Sequence, residues 1–153
     1  MLCFFIGHRN ATTQLMPQLE TAIKKHICDY SVTDFVVGQY GAFDRMAARA
    51  VINAKKIFPE ISLSILLPYH PAECKIHAPE GCDSTFYPSG LELVPKRLAI
   101  VRANQYMIMH SNYLIAYAWQ PDSNAKHLLD YAKSRENKNQ IYITNLALSK
   151  RSI

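Results

Sequence analysis

The sequence predicts an α/β fold in which helices flank a mainly parallel, five-strand sheet. Three observations carry that prediction. Short apolar runs alternate with helix-period segments from one end of the chain to the other, the order that β-α-β units produce. The apolar runs are continuous rather than alternating, as strands covered on both faces are. Finally, 153 residues at 49% hydrophobic and 19% charged have the size and composition of one ordinary globular domain, 1–153, with no internal repeat or low-complexity tract.

The first strand is Leu2-Cys3-Phe4-Phe5-Ile6, halted by Gly7-His8-Arg9. It lacks the basic flank of a signal peptide and is too short to span a bilayer, so a soluble, cytoplasmic domain is expected. A helix follows from Thr13 or Met16, with Leu19, Ala22, Ile23 and Ile27 on one face, and Lys24, Lys25 and His26 set to complement its negative pole. Phe35-Val36-Val37 is the second strand. After Gly38-Gln39-Tyr40-Gly41 comes the clearest amphipathic helix, with Phe43, Met46, Ala47, Ala50, Val51, Ala54 and Ile57 at helical spacing and Pro59 beyond. Ile61 to Leu67 is the third strand, and 69–93, dense in Pro and Gly, reads as a long irregular loop of the kind that often carries function. Pro95 to His110 is a third helix, Tyr113 to Trp119 a fourth strand, Asn124 to Arg135 a fourth helix and Gln140 to Thr144 a fifth strand.

The formal charge of +5 (17 Lys and Arg against 12 Asp and Glu) suits an anionic small ligand better than a nucleic acid. The basic residues near the end, Lys133, Arg135, Lys138, Lys150 and Arg151, are interrupted by Glu136 and promise only weak, salt-sensitive nucleic-acid binding. Cys3 and Cys28 read as small core residues in a reducing compartment. His70, Cys74, His77 and Cys82 form a complement that tetrahedral zinc accepts. Their His-x3-Cys-x2-His-x4-Cys order matches no finger or ribbon, so neither metal nor other cofactor is expected.

In parallel sheets ligands bind beyond the carboxyl ends of the strands. Here those ends carry Gly7-His8-Arg9, Gly38 to Asp44, Tyr69, and the residues after Tyr117. Gly38 and Gly41 would permit positive φ and close approach, and the N–H groups of the helix starting near Ala42 would face an anion. Arg9 can fork a phosphate and His8 can donate to it. Asp44 would repel a phosphate; it could accept from ribose hydroxyls or a base, or simply complement the helix dipole. On the crowded third helix Arg97, Arg102 and Asn104 are expected to have specific partners, either a ligand or a carboxylate of the fold.

Five blocks, FFIGHR (4–9), VVGQYGAFDRMAARAV (36–51), LPYHP (67–71), YPSGLELVPKRLAIVRANQYMI (87–108) and SNYLIAYAW (111–119), together resemble the SLOG superfamily. The likeness is to its small stand-alone YpsA-like branch and covers nearly the whole chain in order. It implies a Rossmann-like three-layer fold that binds a nucleotide or nucleotide-derived anion. The contacts it implies are Gly7, His8, Arg9, Gly38, Gln39, Gly41, Phe43 and Asp44, with Arg102 and Asn104 on the family's Arg-Asn helix signature. Ser123-Asn124 stands where the family often has Gly-Gly, and Ser111-Asn112 where it has Ser-Asp. The Pro-Gly-Gly-x-Gly-Thr-x-x-Glu motif of the related phosphoribohydrolases is absent. A carrier or sensor is therefore the leading expectation. The alternative is a nucleotide hydrolase cleaving an N-glycosidic or phosphate bond with His8 and Asp44 as its acid–base pair. Relatives often pair as homodimers, and the apolar third helix would suit such pairing.

Overall fold

The computed structural model describes residues 1–73, 78–136, 138 and 140–147. Its elements run β1 (Leu2–Gly7), α1 (Met16–Tyr30), β2 (Asp34–Val37), α2 (Ala42–Lys55), β3 (Ser62–Leu66), β4 (Ser84–Phe86), α3 (Ala99–His110), β5 (Tyr113–Tyr117), α4 (Asn124–Glu136) and β6 (Tyr142–Asn145), with short 3-10 turns before α1 and α3. The strands form one sheet in the order β4-β3-β2-β1-β5-β6, and every pairing is parallel. The chain winds outward from β1 to one edge, then returns to β5 on its other side. The switch point thus lies between β1 and β5, where such sheets open a crevice.

Continuous apolar strands are explained by two separate cores. Cys3 and Phe5 of β1 point into one core with Phe35, Val37, Ile115 and the inner faces of α1 and α2. Phe4 and Ile6 point the other way, into a core with Val36, Leu114, Ala116 and the inner faces of α3 and α4. Each strand side chain is buried whichever way it points, so no polar alternation is required. The result is the three-layer architecture expected: helices, sheet, helices.

The sheet has six strands, not five. Strand β4 lies inside the 69–93 segment expected to be irregular, and all three of its residues are exposed. Long-range polar contacts fix it instead. The Asp83 carboxylate accepts from Leu63 N–H at 2.8 Å and from Lys55 Nζ at 2.6 Å, and the Ser64 and Ser84 hydroxyls meet at 2.7 Å. That carboxylate is held below its usual pKa by Lys55 and by the Leu63 amide.

Two local expectations are corrected. Cys28 is exposed rather than a core residue, whereas Cys3 is fully buried. His26 turns inward instead of capping α1 with charge: it is 1% exposed, and its Nδ1–H donates to the Ala22 carbonyl at 2.6 Å. The rings of Tyr30 and Tyr113 meet it edge-on, and burial lowers its pKa. Cys74, His77, Lys150 and Arg151 lie outside the described residues. Among those that are described, no group of three or more His, Cys, Asp or Glu could hold a metal ion, and no helix is long and apolar enough to cross a membrane.

Candidate functional site

A cavity of about 300 Å³ opens at the switch point, above the carboxyl ends of β3, β2, β1 and β5. Taken in the order of the strands, its wall changes character. Leu66 and Pro68 beyond β3, with Ile100 and Ala103 of α3 and Leu128 of α4, form the apolar part. Gly38, Tyr40 and Asp44 stand beyond β2, and Gly7, His8, Arg9 and Asn10 beyond β1. Gln120, Ser123, Asn124 and Ala125 stand beyond β5. Asn104 also faces the cavity, its side-chain amide donating to the Ile100 carbonyl at 2.9 Å.

Both glycines at the floor are there for space. A Cβ on Gly7 would fall 2.2 Å from Cγ of Phe43, the fully buried residue that backs the β1 turn. A Cβ on Gly38 would fall 2.8 Å from Asp44 Oδ2. Gly38 does not adopt positive φ as expected; Gly41 does, at φ 121°, against the backbone of Arg9.

His8 is a post of the site rather than a free donor. It is 4% exposed, and its Nε2 accepts the N–H groups of Trp119 at 2.9 Å and Gln120 at 3.3 Å. Two amide donors on Nε2 place the ring proton on Nδ1. Tyr117 and Trp119 pack edge-on against the ring, and burial lowers its pKa, so the imidazole is neutral at pH 7. Nε2 is therefore committed to fixing the turn after β5, which leaves Nδ1 alone for proton transfer.

Asp44 is the most perturbed group facing the cavity. Burial raises its pKa from 3.8 to about 7, against the opposing pull of the Tyr40 amide, Arg45 and Arg9. Its Oδ2 accepts Tyr40 N–H at 3.0 Å, and it forms no ion pair among the described residues. It therefore stands at the wall as a carboxyl poised between protonated and ionised at neutral pH.

The expected anion cradle at the start of α2 is not built. Ala42 N–H is taken by the Arg9 carbonyl at 2.9 Å, and Gln39, Gly41 and Phe43 do not line the cavity. The start of α4 is better placed. Ser123 Oγ caps Lys126 N–H at 3.1 Å, and Ser123 O accepts His127 N–H at 3.0 Å. By helix geometry, the amides of Asn124 and Ala125 are then the first-turn donors left for a ligand. Arg102 and Arg97 are exposed, line no part of the cavity and form no ion pair among the described residues.

Of the twelve candidate residues, eight converge on the cavity: Gly7, His8, Arg9, Gly38, Asp44, Asn104, Ser123 and Asn124. Asn10, Tyr40 and Gln120 also line it; Tyr40 and Gln120 lie in strand-end segments singled out from the sequence without being assigned a contact, and Asn10 follows Arg9 directly. No family model and no curated protein matches the chain. The residues gathered at the cavity thus carry the functional argument: an apolar wall, a titrating carboxyl, a cationic Arg9 and the open end of a helix.

Proposed function

We propose that this chain is a YpsA-like SLOG protein that binds a nucleotide or nucleotide-derived anion at the carboxyl ends of its strands, as a carrier or sensor. The observation that carries this reading is the mixed wall of the switch-point cavity, which brings the apolar Leu66, Pro68, Ile100 and Ala103 together with His8, Arg9, Asp44 and the first turn of α4. A volume of about 300 Å³ is at the small end of ligand pockets, which suits one nucleotide unit rather than a dinucleotide. Arg9, exposed at the rim, supplies a mobile-length cation for a phosphate. A cytoplasmic setting and pairing of two copies go with this reading; Leu98 and Met109, 38% and 48% exposed, offer apolar contact area, and light scattering would detect a dimer.

Thermal unfolding against a panel of nucleoside mono-, di- and triphosphates tests the reading. A ligand at a hundred times its Kd adds ~2.7 kcal/mol, or about 5–11 °C for a chain of this length. A panel in which no member moves Tm in any of several buffers would refute it.

Asp44 supports a second reading, a nucleotide hydrolase, because a carboxyl with pKa about 7 suits general acid–base work. Release of free base or phosphate from nucleoside monophosphates, lost in Asp44→Asn, would favour this reading; intact nucleotide after prolonged incubation would leave binding alone.

A further inference from the structure

We propose that Asp44 is the specificity-determining residue of the cavity, accepting the 2′- and 3′-hydroxyls of a ribonucleotide laid across the strand ends with its base toward β3 and its phosphate toward α4. This rests on the binding reading above and adds an orientation and a sugar preference to it.

The argument is one of order along the sheet. Four adjacent strands, β3, β2, β1 and β5, supply the floor. At roughly 4.8 Å per strand, that floor is about 14 Å long, enough for an extended mononucleotide and little else. Leu66 and Pro68 form the apolar surface at the β3 end, where a flat base would lose least by leaving water, and Ile100 and Ala103 of α3 add apolar lining on the same face of the sheet. The remaining first-turn amides of α4 lie at the β5 end, where a phosphate gains most. Between them comes Asp44, reaching over Gly38 from the opposite helical layer. A base, a sugar and a phosphate are linked in that same sequence, so the carboxylate falls beside the sugar.

The geometry of the carboxylate agrees. Oδ2 is anchored by Tyr40 N–H at 3.0 Å, and Gly38 leaves the room this anchor requires. A fixed carboxylate with acceptor capacity left over pairs with adjacent hydroxyl donors and repels a phosphate, which bars the reversed orientation. The charged or titrating groups facing it are Arg9 from the β1 turn, Arg45 on its own helix and His8 within the same cavity. The diol favours the ionised carboxylate, so binding draws a proton off a group that burial holds near pKa 7. Affinity should then rise roughly tenfold from pH 6 to pH 8.

Titration calorimetry on the intact chain, using AMP, GMP, CMP and UMP with their 2′-deoxy counterparts, tests the assignment. For whichever base binds best at pH 8, the ribonucleotide is expected to bind tenfold or more tightly than its 2′-deoxy partner. Asp44→Asn should reduce that ratio to within twofold and flatten the pH dependence that exceeds phosphate titration. Gly38→Ala, whose new methyl would displace the carboxylate, should also erase the ratio. Equal affinity of ribo and deoxy forms for the unaltered chain overturns the assignment while leaving the binding reading intact. A base preference that vanishes in Asp44→Asn while the sugars bind equally puts the carboxylate on the base and overturns it too. Absence of binding by every nucleotide removes the binding reading and this inference together.

Discussion

Replacing Asp44 by Asn should make the protein more stable at neutral pH, and the size of the gain follows from where the carboxyl sits. The folded chain holds the Asp44 proton up to about pH 7, whereas the unfolded chain releases it near 3.8. Between those values the folded state binds more protons, so stability falls as pH rises through this window. Above pH 7 the whole penalty is present. The separation of about three units corresponds to ~4 kcal/mol. Asn has nearly the same shape, keeps an oxygen for the Tyr40 amide and never ionises. Urea unfolding of both proteins from pH 4 to pH 8 is the assay. The two curves should nearly coincide at pH 4 and separate progressively, with the Asn variant ahead by about 4 kcal/mol at pH 8, or roughly 8–16 °C in Tm. A constant difference across the range, or an unaltered chain that is the more stable at pH 8, would show that Arg9, Arg45 and the helix end outweigh desolvation. Such a cost is typical of residues retained for binding rather than for folding.

Gly7→Ala should lower Tm by about 6–12 °C, reflecting ~3 kcal/mol of overpacking. The new methyl would meet Phe43 Cγ at 2.2 Å and its Cβ at 2.7 Å, so rotating the ring does not clear it. Thermal unfolding within 1 °C of the parent would contradict that account. Ser123→Ala removes the cap on Lys126 N–H and should cost ~1 kcal/mol, a Tm decrease of about 2–4 °C. Circular dichroism melts would detect this; an unchanged Tm would mean that water replaces the hydroxyl without loss.

The layered fold was legible because burial writes itself into composition: β1 shows five consecutive apolar residues since its two faces serve two cores. Strand β4 was not legible, because Ser84-Thr85-Phe86 has no buried face, and Asp83 and Ser84 are held by Lys55, Leu63 and Ser64, partners 20 or more residues away. The strand-end rule located the site but could not apportion its donors. Nothing in Gly38-Gln39-Tyr40-Gly41 announces that the Arg9 carbonyl will occupy the first amide of α2. The family resemblance paired Arg102 with Asn104, yet two positions along a helix are about 200° apart, and only Asn104 turns toward the cavity. His8 was placed correctly, but its role depended on the amides of Trp119 and Gln120, which only the β1–β5 pairing brings near.

That same turn gives the chain a built-in optical probe. Trp119 is its single tryptophan, 44% exposed, with its ring edge-on to His8 at 5.6 Å between centroids. Its backbone is tied to the imidazole that forms part of the cavity wall. Excited at the red edge, where its nine tyrosines do not absorb, the protein therefore emits from one location, and that location adjoins the switch point. Any molecule that displaces water there, or shifts the β5 turn by a fraction of an ångström, alters the polarity around one indole rather than an average over many. Occupancy can be followed by intrinsic fluorescence, without a label and without an added aromatic residue.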